Sequence, residues 1–220
     1  MKTPTTINPD EMLKSMAAEA VKQHKQIRTT IRDLTLQALQ MRELSLKQIN
    51  SVVRKVTEGV NVGVGDSKID VEKTLSDALA GMDEALLKVV EANEVALQKL
   101  TEGGASFEDS SVKKGLKELE AFEEKFLDGV KQAARDASDR TKGQWKSILD
   151  NIPQGGTETG AQVKETLSAH AREVQAAMRS SREAGFKVMH ALTQNYATLV
   201  SGVLIGLSEA LEHGKPKNNR

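Results

Sequence analysis

The chain of 220 residues balances 31 basic against 31 acidic side chains, is 38% hydrophobic, and contains one Trp, one Tyr, four Phe and no Cys. Without cysteine there is no disulfide scaffold, thiolate metal site or cysteine nucleophile, and the composition fits a reducing cytoplasm. So few bulky fillers argue against an ordinary sandwich or α/β enzyme and for thin, Ala-rich helix packing in one elongated domain.

Residues 1–9 hold a lone Lys2 before Thr and Pro, lack the apolar run of an export signal and are expected to be disordered. All four prolines, Pro4, Pro9, Pro153 and Pro216, stand where helices begin, break or have ended. A first helix over 10–42 is predicted from the 4,3 spacing of Leu13, Ala17, Ala20, His24, Ile27, Ile31, Leu34, Ala38 and Met41. A second, over 44–60, carries Leu46, Ile49, Val53, Val56 and Val60 and should stop in a turn at Gly59, Gly63 and Gly65. A third, over 67–102, follows the capping candidates Asp66 and Ser67 and repeats the spacing from Leu75 through Leu79, Met82, Leu86, Val89, Asn93 and Ala96 to Leu100. Asn93 falls on that seam, where a buried amide fixes register.

After Gly103-Gly104 a fourth helix over 107–152 presents Leu116, Leu119, Phe122, Phe126, Val130, Ala133, Ala137, Trp145 and Ile148. Residues 153–159, with Pro153 and Gly155-Gly156, make the main hinge. The fifth helix, over 160–213, would approach roughly 80 Å if straight. Its apolar residues recur every eleven, as in Val163, Val174, Gly185, Tyr196 and Leu207, a period of about 3.67 per turn that runs nearly straight or slightly right-handed. Residues 214–220 form a disordered basic tail.

Charge is segregated: residues 1–55 carry ten basic and five acidic side chains, residues 56–128 eight and seventeen, and residues 129–220 thirteen and nine. An acidic middle between basic ends should lie against both of them.

Catalysis finds little support. Only His24, His170, His190 and His213 supply an imidazole, no G-x-S-x-G elbow occurs, and no His follows a Glu by three as a di-metal bundle requires. His24 and His170 fall on apolar stripes and are expected to be core or boundary residues. The glycines 59, 63 and 65 lack the Lys-Ser/Thr of a phosphate loop, so no cofactor is expected. Zero net charge and scarce aromatics speak against specific nucleic-acid binding, despite the basic tail.

The longest stretch free of Asp, Glu, Lys and Arg, Val188–Ser208, is polar in its first half. Only Ala197–Leu207 is strongly apolar, too short to cross a bilayer. Within it, Gly202 and Gly206 have the spacing that lets two helix backbones approach closely, while Leu199, Val203, Leu204 and Leu207 form an apolar face suited to a hydrophobic surface or a partner.

Long Ala-rich amphipathic helices, absent cysteine, few aromatics, neutral charge and an apolar helix that does not span a membrane together resemble the phasins, which coat bacterial polyhydroxyalkanoate granules. The eleven-residue beat is similar to that of apolipoproteins and late-embryogenesis-abundant proteins. The resemblance implies a non-catalytic, oligomerising helical protein whose apolar faces cover a polymer or lipid surface. The segregated charge and regular heptad stripes depart from it, toward a stable protein bundle.

The expected fold is therefore all-α: an elongated antiparallel bundle of about five helices with a very long C-terminal helix. The expected function is a cytoplasmic, non-enzymatic structural protein that self-associates and buries Leu199, Val203, Leu204 and Leu207, with Phe122 and Phe126, against a granule or lipid surface, opening at the 153–159 hinge. The alternative is a coiled-coil scaffold or adaptor whose seam binds a protein partner.

Overall fold

The structure, a computed structural model, describes residues 8–23, 26–42, 44–65, 69–102, 110–153, 156–180 and 202–207. All regular structure among them is helical: α1 (Pro9–Lys22), α2 (Ile27–Gln40), α3 (Leu46–Gly65), α4 (Val71–Glu102), α5 (Ser110–Glu120), α6 (Phe122–Arg135), α7 (Asp139–Asp150) and α8 (Glu158–Ser180), with a short ninth helix over 202–207. None is long and apolar enough to cross a membrane.

The boundaries correct the five-helix reading. The expected helix over 10–42 is two helices, because Gln26 takes a left-handed conformation with φ 48° that ends one ladder before Ile27 starts the next. The expected helix over 107–152 is three. Ala121 separates α5 from α6, and an extended Ser138, its Oγ 2.9 Å from Thr141 Oγ1, starts α7. In contrast, α3 runs straight through Gly59 and Gly63 to Gly65, where a turn was expected. The start of α1 follows its local chemistry: Pro9 occupies a first-turn position and Asn8 Oδ1 accepts the Asp10 amide at 3.0 Å.

Short connections make α1, α2, α3 and α4 alternate in direction, yet the most extensive packing joins helices two apart in the chain. The α1 and α3 partners advance together, with Lys55 3.7 Å from Glu11 and Lys14 3.9 Å from Glu58, so these two helices run parallel. The amides of Asn50 and Asn61 on α3 donate to the carbonyls of Lys125 and Ala133 on α6, each at 3.0 Å, which makes that pair parallel too. On the other side, α2 lies along α4, and α4 along α8, with Asp83 meeting residues 158–159 and Glu94 meeting residues 162 and 166. The result is a two-layer stack, α1–α3–α6 over α2–α4–α8. The α5 helix packs among α4, α6 and α8, while α7 crosses to α3 and α4 and its Trp145 Nε1 donates to Asn61 Oδ1 at 2.7 Å.

Glycine sets the closeness of the stacking. A Cβ built at Gly59 would collide with the Lys14 carbonyl of α1, and one at Gly63 would lie 2.6 Å from the Ala18 carbonyl oxygen. Gly81 of α4 meets the Arg28 carbonyl of α2 in the same way, and Gly129 of α6 approaches Asn50 O and Val53 of α3. Between the layers, Val52, Val53, Val56, Val60 and Val64 of α3 face Leu75, Met82, Leu86, Val89 and Leu97 of α4 in one apolar cluster from which solvent is excluded.

The segregated charge is partly spent across these contacts. Arg28 Nε donates to Glu84 Oε1 at 2.6 Å and Arg32 reaches the same carboxylate, so basic α2 is set on acidic α4. Glu58, and behind it Glu11, hold the Lys55 ammonium above its ordinary value of 10.5.

Candidate functional site

The residues expected to meet a surface are, in this structure, mostly inside. Phe122 and Phe126 on α6 are 3% and 0% exposed and belong to the main core. Leu204 is also fully buried in that core, with Val203 and Leu207 packed against it, while Ile205 beside them is 43% exposed. Gly202 and Gly206 are exposed, and no described neighbour lies within 4 Å of a Cβ built on either, so the close packing expected there is not made among the described residues. Asn93 is buried and its amide donates to Val89 O, one turn back on α4, at 2.8 Å. Leu199, His24, Gly155 and the His170 side chain lie outside the described residues, as does the continuity of a helix from 160 to 213.

The expected hinge is a held joint. The first amides of any helix lack partners inside it, and at α8 those partners come from far along the chain. Asp83 on α4, almost fully buried, accepts the Glu158 amide at 2.9 Å and the Thr159 amide at 3.2 Å, while Thr159 Oγ1 donates back to Asp83 O at 2.9 Å. Thr157 Oγ1 accepts the Gly160 amide at 3.1 Å, and Glu123 on α6 accepts the Thr157 amide at 2.8 Å. Gly156, at φ 91°, and Gly160 leave room for the Glu123 carboxylate that a side chain at either position would fill. Two carboxylates at a helix N-terminus also complement its dipole. Sequence reading missed both, because each lies on an ordinary amphipathic helix and meets its partner across the fold.

Beyond the joint, α8 presents a weakly apolar inner face. Over its described side chains only Thr159, Val163 and Thr166 are buried, with Leu167 partly so. The face of α4 along which it lies, marked by Asp83 and Glu94, carries the fully buried Val90 between them.

A different apolar surface is open. Between α1 and α2, with Gln48 of the first turn of α3 at its edge, runs a groove of about 820 Å³ lined by Met12, Leu13, Met16, Leu34, Ala38 and Met41. Met41 is 77% exposed, Met12 49% and Met16 42%. Sequence reading placed Met41 and Leu34 in a core seam because the 4,3 spacing continues through the break at Gln26. Among the described residues no cluster of His, Asp and Glu is placed to hold a metal ion.

A family model described as "Family of unknown function (DUF6781)" matches residues 3–213. No curated protein and no solved structure matches the chain.

Proposed function

Since the chain belongs to DUF6781, a family of unknown function, its own surfaces must carry the reading, and we propose a non-enzymatic structural protein that coats an apolar surface, a polyhydroxyalkanoate granule or lipid, and self-associates. The observation that carries it is the weak apolar hold on α8, a helix with a largely polar inner face that is joined to α4 by the Asp83 cap and to α6 by Glu123. Burying Val163 contributes about 1.5–3 kcal/mol and each cap about 1–2 kcal/mol. Lifting α8 therefore costs roughly 3.5–7 kcal/mol and bares the face of α4 that carries Val90 between Asp83 and Glu94, which an external surface could cover instead. Phe122, Val203, Leu204 and Leu207 would exchange core for surface contacts in the same step.

The test is co-sedimentation of the full chain with polyhydroxybutyrate particles and with neutral and anionic liposomes at low and high salt. Binding that survives high salt is expected, since burial is screened far less than charge. Asp83→Asn, which weakens the cap without removing an apolar group, should bind faster and more extensively. Absence of binding by both proteins would sink the reading.

The second reading, a scaffold or adaptor for a protein partner, is favoured by the filled core: the stripes of α3, α4 and α6 are already covered within one chain. Failure to sediment with every particle, together with a defined complex in a pull-down, would select it.

A further inference from the structure

In the middle of the stack α3 lies between α1 and α6, and α4 between α2 and α8. The α1/α2 hairpin is the end of the series. It packs on α3 and α4 and, among the described residues, on no later helix to any extent, so its remaining side is met only by Gln48 at the first turn of α3. That side would ordinarily be polar, as the terminal unit of a stacked array must be to remain uncovered. Here it is the methionine-lined groove, which contains three of the five large hydrophobic side chains exposed among the described residues.

We propose that the groove is covered by the same hairpin of a second copy of this chain, related by a two-fold axis, so that α1 and α2 of both copies form a four-helix interface. The proposal rests on the self-association included above and is independent of any coated surface.

Charge selects this occupant. Among the described residues the only charged ones lining the groove, Asp10 and Arg42, pair with each other, and the remaining polar lining is the neutral Asn8, Gln37 and Gln48. The basic residues Lys14, Arg28 and Arg32 are engaged with Glu58 of α3 and Glu84 of α4. No described residue of the groove is left to attract an anionic headgroup or an acidic partner, and a neutral face meets its own copy without repulsion or an unpaired buried charge.

Shape points the same way. A lipid surface is met by a convex apolar ridge flanked by Lys and Arg, whereas a concave groove between two helices accepts the ridge of another helix. Unbranched methionines adapt to such a ridge. The hairpin is matched in length to itself, since α1 and α2 are each 14 residues.

Sedimentation velocity on the full chain across the micromolar range tests this, with Met16→Glu and Met41→Glu in the groove and Val62→Glu as control. Val62 is a comparably exposed apolar residue, at 44%, that does not line the groove. A concentration-dependent dimer is expected, weakened about tenfold or more by each groove variant and unchanged by the control. Circular dichroism on the same samples checks that helicity is retained, and Met41, the most exposed of the three methionines, supplies a variant with little structural role. A wild-type monomer throughout, an assembly indifferent to both groove variants, or equal weakening by Val62→Glu would each overturn the proposal. A monomer that still binds particles would refute this interface and leave the coating function standing, and a groove-dependent dimer that binds none would do the reverse.

Discussion

At Gly63 a single hydrogen in place of a methyl group decides how closely two helices lie. A Cβ there would stand 2.6 Å from both the Ala18 oxygen and Val21 Cβ, and neither can move without moving α1. Gly63→Ala should therefore cost about 1–3 kcal/mol through overpacking, which in a domain of this size lowers the melting temperature by roughly 2–12 °C. Gly143 in α7 is the counterpart: nothing lies within 4 Å of a Cβ built on it, so Gly143→Ala should stabilise by about 0.5–1 kcal/mol through helix propensity alone. Thermal melts of the two variants check both, and equal shifts would mean that the α1–α3 approach is looser than described. Sequence reading took Gly59 and Gly63 for a turn while assigning close approach to Gly202 and Gly206. The two pairs share one spacing, so the pattern alone does not distinguish a breaker from a contact. What separates them is the neighbour, which for Gly63 comes from more than forty positions earlier in the chain.

Helix α4 is the element on which the others depend, since it meets α2, α3, α5, α7 and α8. Its stripe, Leu75, Leu79, Met82, Leu86, Val89, Ala96 and Leu100, was legible in sequence from spacing alone, and all seven side chains are buried. Leu86→Asp sets a carboxylate where exposure is zero and, among the described residues, no Lys or Arg is buried, a change that exceeds the usual cost of about 2–5 kcal/mol for truncation at such a site. Helicity by circular dichroism should collapse together with any assembly, and retention of both would show that this stripe is not the centre of the fold. Periodicity was less informative about ends. It crossed the left-handed Gln26 without a break because residues on either side keep the same spacing, and it crossed Ser138 for the same reason. The start of α7 after an extended Ser138 was not read from the sequence.

For the molecule as a whole, burial dominates over charge. The pairs that join the basic α2 to the acidic α4 are half exposed, Arg28 at 49% and Glu84 at 26%, and such pairs contribute about 0–1 kcal/mol each. Raising salt from low to about 1 M should then lower the melting temperature by only a few degrees, and a fall of more than about 10 °C would assign the stack to its charges. The overall class, all-helical and without a membrane-crossing helix among the described residues, was legible from composition and spacing. The stacking of helices two apart was not, because spacing reports which face is apolar and never which helix covers it. That order of packing also sets a timetable for the growing chain. An α1/α2 hairpin leaving the ribosome finds no shelter for its inner face until α3 and α4 have followed it, and Asp83 waits 75 residues for the amide of Glu158. At about 5–20 residues per second, Asp83 stays without that partner for roughly 4–15 s, during which nascent α4 is open to a chaperone or to a neighbouring copy on the same messenger.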